Sequence, residues 1–350
     1  MTKKLLYIDP LSHSRHINFN KIYIRELNKF HLNIDFVFKD GYSHKLGVKK
    51  DTLTIPNEFY SSSKDLLSRL NNIRILRYID KKISLEDYDY IILSSYDAIS
   101  LFFSGIKCKL ILVNHNTLQG LENRIKRFFF KSISKNNIHI VFEEYMKEYL
   151  SKIGVQNVNK ISHGFMQPII TTEINKNFFF EGSELSLNDF EKILFIPSLH
   201  HLDQIFIEDL VIDKGFVSFL ESNNILLVIK TNLKIKNESI NIQFITKNIT
   251  KREYQTVFLR SNLIIIKYPL TYKYRISAIF LECVVNNKTC LLNKIDALIY
   301  YKKYINYESY YDTKEDLYNQ IIKNLDLDIS IKFSKWMNSQ SDFKKFFELN

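Results

Sequence analysis

The side chains best suited to chemistry cluster in Leu263 to Leu292, LIIIKYPLTYKYRISAIFLECVVNNKTCLL. An apolar strand there runs into a loop bearing Lys267, Tyr268, Lys273, Tyr274 and Arg275. A helix is predicted to begin near Ser277, carries Glu282 and leads to a second apolar strand. A helix start presents unpaired backbone N–H groups and a partial positive charge. With Arg275 and the Ser277 hydroxyl beside it, this start is equipped to grip a diphosphate. The competing reading of Ser277 is a helix cap and nothing more. Glu282 interrupts the apolar run IFLECVV, where an unpaired carboxylate is costly, so it needs a partner. The two hydroxyls of a ribose would serve, and so would a structural ion pair. Tyr268 and Tyr274 would line the nucleotide or sugar pocket.

Histidines follow strands in the first half. His115 ends the apolar run of LVNHNT, while His13 and His16 lie in DPLSHSRH after the first strand. Ligands of open α/β sheets bind outside the carboxyl ends of the strands, which puts these imidazoles where a sugar hydroxyl is held or a proton moved. His115 reads equally as a strand-end cap through the backbone. Lys230, after the strand 225–229, is placed to meet a phosphate or to stay solvated. His200 and His201 read as a polar loop. No set of His, Cys, Asp and Glu has metal-ligand spacing, so neither a metal nor a tightly bound cofactor is expected. Cys108, Cys283 and Cys290 read as core thiols, favouring a reducing cytoplasm.

The elements that must position these groups alternate between strand and helix. Apolar strands are predicted over 4–8, 33–38, 90–93, 110–113, 138–142 and 158–161, with helices between them; 41–85 is assigned loosely to a strand or two plus a helix. The alternation pauses over 167–190, with Pro168 and FFFEG, and restarts with strands at 193–197, 225–229, 242–245, 263–266 and 289–292. Helices are predicted around 205–220 and over 314–324 and 331–347. At 350 residues, two cores are expected. The fold class is α/β: two Rossmann-like, doubly wound domains facing a cleft, with C-terminal helices. Their bounds are 1–166 for an acceptor-binding domain, 167–190 for a linker and 191–350 for a nucleotide-sugar-binding domain whose last helices return to the first.

On Tyr268, Pro269, Ser277, Glu282 and the run Asn287, Lys288, Thr289, Cys290, the chain resembles GT-B glycosyltransferases, in particular bacterial surface-polysaccharide enzymes. The segment EEYMKEYLSKIGVQNVNKISHGF resembles the end of their first domain, with His163 and Gly164 at the hinge and His163 on the donor side. The resemblance implies a nucleotide-diphosphate sugar as donor and a saccharide or lipid-linked saccharide as acceptor. Two departures stand out. Retaining members carry a Glu where Tyr274 stands, and the glycine-rich turns after the first strand of each domain are replaced by DPLSHSRH and PSLHHLDQ. In this reading Arg275 and the helix start stabilise the departing diphosphate, while His115 or His16 positions or deprotonates the acceptor hydroxyl.

Net charge is +11, nearly all of it in residues 1 to 165, where 26 Lys and Arg stand against 16 Asp and Glu. The segment Leu121 to Lys135, LENRIKRFFFKSISK, sets basic residues around three Phe. It suits either a core-facing helix or an anionic membrane surface reached from the cytoplasmic side. No apolar stretch approaches spanning length. Two alternatives to transfer remain: a sugar-nucleotide epimerase of the same fold, and a nucleic-acid-binding protein. The second lacks any recognised binding motif, so no nucleic acid is expected as a partner.

Overall fold

The computed structural model describes residues 3–12, 16–30, 32–48, 52–60, 65–115, 117–164, 167–169, 178, 180, 185–233, 235–236, 238–246, 249–327, 333 and 339–349. They form two compact units, Met1–Gly164 with Met337–Asn350, and Phe165–Trp336. His13 and most of 167–190 lie outside the described residues.

The first unit is a seven-stranded parallel sheet made of β1 (Lys4–Ile8), β2 (Asn33–Lys39), β3 (Leu53–Ile55), β4 (Tyr90–Leu93), β5 (Ile111–Val113), β6 (Ile138–Val141) and β7 (Val158–Lys160). The spatial order is β3-β2-β1-β4-β5-β6-β7. Strands such as YIIL and IHIV are buried throughout because helices cover both faces of a parallel sheet. These helices are α1 (Ile17–Leu27), α2 (Tyr42–Leu46), α3 (Asp65–Lys82), α4 (Ala98–Ser104), α5 (Arg124–Ser134) and α6 (Glu144–Lys152). The α5 helix starts where the Asn123 side chain accepts from the N–H groups of Ile125 and Lys126. Its Phe130 is buried, and Phe129 packs 5.1 Å from Phe102 and 5.4 Å from Phe103. Ile125 and Phe128 are left 65% and 62% exposed among basic neighbours.

The second unit repeats the plan with β8 (Lys192–Ile196), β9 (Ile225–Lys230), β10 (Ile242–Ile245), β11 (Leu263–Ile266), β12 (Thr289–Asn293) and β13 (Tyr310–Tyr311), in the order β10-β9-β8-β11-β12-β13. Its helices are α7 (Gln204–Val211), α8 (Lys214–Ser222), α9 (Lys251–Arg260), α10 (Ala278–Val285), α11 (Asp296–Ile299) and α12 (Lys314–Asn324). Each sheet reverses its winding once, between β1 and β4 and between β8 and β11, and such reversals open the crevices where α/β sheets bind ligands.

Three features differ from the expected elements. The helix expected around 205–220 is two, because the Asp213 carboxylate caps a new helix by accepting from Phe216 N at 2.9 Å. Strand β13 adds an edge that its short sequence does not announce. At the end of the chain, α13 (Ser339–Leu349) is helical, whereas Phe333 forms an isolated antiparallel bridge with Ile305. Helix α13 belongs to the first unit: Phe343 lies 5.0 Å from Tyr23, and Asp342 accepts from Ser162 N and Oγ at 3.1 and 2.9 Å. No helix among the described residues is long and apolar enough to cross a membrane.

Candidate functional site

In the first unit the chemistry gathers at the β1/β4 reversal. Asp9, directly after β1, is fully buried. Its carboxylate accepts from Ser12 N at 3.0 Å, from Asn20 Nδ2 at 2.6 Å and from Ser95 Oγ. Asn20 is held in turn by the Tyr7 hydroxyl, which donates to Oδ1 at 2.7 Å. Several donors converging on one buried carboxyl hold it in a single orientation. At the entry to α1, His16 turns Nδ1 to 4.0 Å from Asp9 Oδ2, and its Nε2 lies 3.2 Å from His115 Nε2. At that N···N distance the two rings can form a hydrogen bond, one donating and the other accepting.

Phe19 assembles the rest. Its ring stacks on His115 at 4.7 Å and lies 5.5 Å from His163, which also packs 5.2 Å from Phe142. His163 Nδ1 donates to Gly164 O at 2.6 Å, and burial lowers the imidazole to about 4, so it is neutral near pH 7. A Cβ on Gly164 would come within 2.7 Å of Ile22 Cγ2, so glycine is needed for the chain leaving β7 to lie against α1. His163, expected on the donor side, thus joins His16 and His115 in the first unit.

In the second unit the loop after β11 brings Tyr268, Tyr272, Arg275 and Ser277 together. The Arg275 guanidinium sits 4.0 Å from the centre of the Tyr272 ring, which is 5.7 Å from Tyr268 and 5.9 Å from His200. Burial lowers the His200 imidazole, helped by the charges of His201 and Arg275 and opposed by Asp203. Ser277 is fully buried: its Oγ accepts from Phe280 N at 3.1 Å to cap α10 and lies 2.9 Å from Tyr268 Oη. Its N–H donates to Tyr301 Oη at 3.0 Å. Ser277 therefore anchors the start of α10. Tyr274 precedes Arg275, half-buried. Lys230 ends β9 at the same carboxyl edge, and no described contact joins its side chain to the Arg275 group.

Glu282, on α10, finds its partner in α9, where the Tyr254 hydroxyl donates to Oε2 at 2.8 Å. Burial raises this carboxyl to about 7, with Tyr254 and Lys251 pulling the other way. Between its ordinary 4.5 and about 7 the folded chain keeps a proton that the unfolded chain has lost, so stability falls as pH climbs through that window. Glu282→Gln should therefore gain on the order of 2 kcal/mol over wild type at about pH 8 and nothing at about pH 4, read by urea unfolding. A difference independent of pH would show an unperturbed carboxyl.

Sequence reasoning missed the partners. Asp9 registers only as the residue ending an apolar run, and Phe19, Tyr254 and Tyr272 carry no local signal. Lys267 was noted, but not its ion pair with Asp203 at 2.8 Å, nearly buried at the β8/β11 reversal. Among the described residues no group of three His, Cys, Asp or Glu side chains could hold a metal ion.

No family model matches the chain, and no curated protein matches it in sequence. Solved structures do match its fold. The Anabaena protein HepE in complex with UDP and glucose is similar with a TM-score of 0.63 at 10% identity, over 93% of this chain and 90% of that one. A UDP-forming α,α-trehalose-phosphate synthase from Burkholderia vietnamiensis gives 0.60 at 8%, over 99% and 94%. A UDP-N-acetylglucosamine 2-epimerase from Rickettsia bellii gives 0.54 at 13%, over 99% and 93%. At these identities the likeness concerns architecture, and the architecture is that of GT-B proteins: two Rossmann-like α/β units completed by C-terminal helices.

Proposed function

We propose that the chain is an enzyme acting on a nucleoside-diphosphate sugar, of which a UDP-sugar is the form handled by the proteins of similar fold. The observation that carries this reading is the placement of Arg275 ahead of α10, just after β11 at a sheet reversal, with the Glu282 carboxyl further along the same helix. The diphosphate is held by Arg275 and the start of α10, the ribose by Glu282, and Tyr268 and Tyr274 line the pocket. Arg275 stabilises negative charge on the diphosphate as the bond from sugar to phosphate breaks. The proton is handled by the His16 and His115 pair, with Asp9 orienting His16.

Two reactions use this equipment. In epimerisation, favoured by the 2-epimerases among the similar folds, the pair removes a proton from a sugar carbon as the sugar–phosphate bond breaks and its electron pair leaves with the diphosphate. The diphosphate then adds back while a proton returns to the opposite face of that carbon. In glycosyl transfer it takes the proton of an acceptor hydroxyl, and the acceptor is a saccharide or lipid-linked saccharide of the kind built into bacterial surface polysaccharide. The basic, partly apolar face of α5 supports a lipid-linked acceptor, since Ile125 and Phe128 are exposed beside Arg124, Lys126 and Lys131.

One experiment separates the readings. UDP-sugars are incubated in deuterated water with no acceptor, with soluble saccharides, and with anionic vesicles carrying lipid-linked saccharide. Release of UDP that requires an acceptor supports transfer, and deuterium on the sugar ring without an acceptor supports epimerisation. If no UDP-sugar binds, the proposal fails; if vesicles do not sediment the protein, the α5 surface is not a membrane site.

A further inference from the structure

Two loops flank the β8/β11 reversal of the second unit, 197–203 after β8 and 267–277 after β11. A nearly buried ion pair ties them together: Lys267 Nζ donates to Asp203 Oδ1 at 2.8 Å, and the two residues are 8% and 5% exposed. As a source of stability the pair is poorly made. Asp203 Oδ2, enclosed like its twin, meets no donor among the described residues. Asp203 also stands directly before α7, where an aspartate ordinarily caps a helix, and its side chain makes no capping bond. Taking two charges out of water is costly. A pair that leaves a carboxylate oxygen unmet recovers less of that cost than two packed apolar side chains would.

What the pair does accomplish is alignment. Lys267 is the first residue of the loop that carries Tyr268, Tyr272 and Arg275. Toward β12 this loop is held by Asn293, whose side chain accepts from Tyr268 N at 3.0 Å and donates to Tyr268 O at 2.8 Å. Toward β8 it is held by Lys267 on Asp203. There Asp203 N donates to His200 O at 2.9 Å and Leu202 N donates to His200 Nδ1 at 3.2 Å, so the carboxylate and the imidazole ride on one turn. His200 lies 5.9 Å from Tyr272, and the Arg275 guanidinium sits 4.0 Å from the centre of that same ring. A line of contacts thus starts at the ion pair and ends at the guanidinium.

We propose that Lys267 and Asp203 are a positioning pair for the diphosphate site, setting the loop after β11 so that Arg275 is aimed at the ligand. The inference rests on the nucleotide-sugar reading and deepens it. Its test is the double variant Asp203→Leu, Lys267→Met, which fills the same space without charge, with UDP affinity read by titration calorimetry and the melting temperature by scanning calorimetry. The variant should melt at or above the wild-type temperature, as apolar replacements of buried ion pairs do. It should bind UDP about tenfold or more weakly, the worth of one charged hydrogen bond to the diphosphate. In an Arg275→Ala background the same double change should cost no further affinity, because its effect passes through that guanidinium. A pair with a structural role alone would give the reverse pattern. A melting temperature several degrees lower, unchanged UDP affinity, or an undiminished further loss in the Arg275→Ala background would each overturn the proposal. A wild-type chain that does not bind UDP would remove the nucleotide-sugar reading and this inference with it; wild-type binding with unchanged affinity in the double variant would remove this inference alone.

Discussion

Arg275→Ala should lower kcat/KM for UDP-sugar turnover by about 10² to 10³, the usual cost of removing one preorganised group that stabilises charge in a transition state. The guanidinium carbon sits 4.0 Å from the centre of the Tyr272 ring, a contact that orients the group before any ligand arrives and leaves less ordering to be done on binding. Arg275→Lys keeps the charge but loses the planar fork and the stacked geometry, and it should recover only part of the rate. The residue sits in a loop, half-buried, outside the apolar clusters of the second unit. The melting temperature should therefore move little, and calorimetry on the variant separates a chemical loss from an unfolding one. Unchanged kcat/KM in Arg275→Ala would remove this residue from the mechanism.

The histidine pair makes the second large prediction. His16→Gln and His115→Gln should each reduce kcat by about 10² or more, and the double variant should be little worse than either single one. The reason is geometric: with Nε2 facing Nε2 at 3.2 Å, the two rings act as a single proton-holding unit, and removing either breaks it. Multiplying losses in the double variant would mean that the rings serve separate groups of the substrate. The cycle is read on kcat at saturating UDP-sugar, so that a change in binding does not pass for a change in chemistry.

The strands were legible because a parallel sheet buries both faces, and runs such as LIII at β11 or KLLYI at β1 have few alternatives. Both sheets could be placed within a residue or so at most strand ends for that reason. Helices carried less information. Helix α7 stops at Val211 and Asp213 caps the next helix two residues on, so apolar spacing ran through the break unmarked. At the site, the residues that carry charge announced themselves, and those that aim them did not. Arg275 and Glu282 are visible as polar groups at a loop and in an apolar helix. Tyr272 and Tyr254 are ordinary tyrosines until the fold brings them to 4.0 Å and 2.8 Å from those groups. Asp9 is the sharpest case, since no pattern in DPLSHSRH distinguishes a turn acid from a buried one bonded to Ser12, Asn20 and Ser95.

Because α13 closes over Tyr23, Phe30 and Tyr90, the first unit is assembled from two separate stretches, 1–164 and 337–350, with the second unit, 165–336, spliced between them. A chain made only as far as residue 336 would leave Tyr23, Phe30 and Tyr90 without that cover, so the aromatic core of the first unit is completed after residues 165–336 have been synthesised.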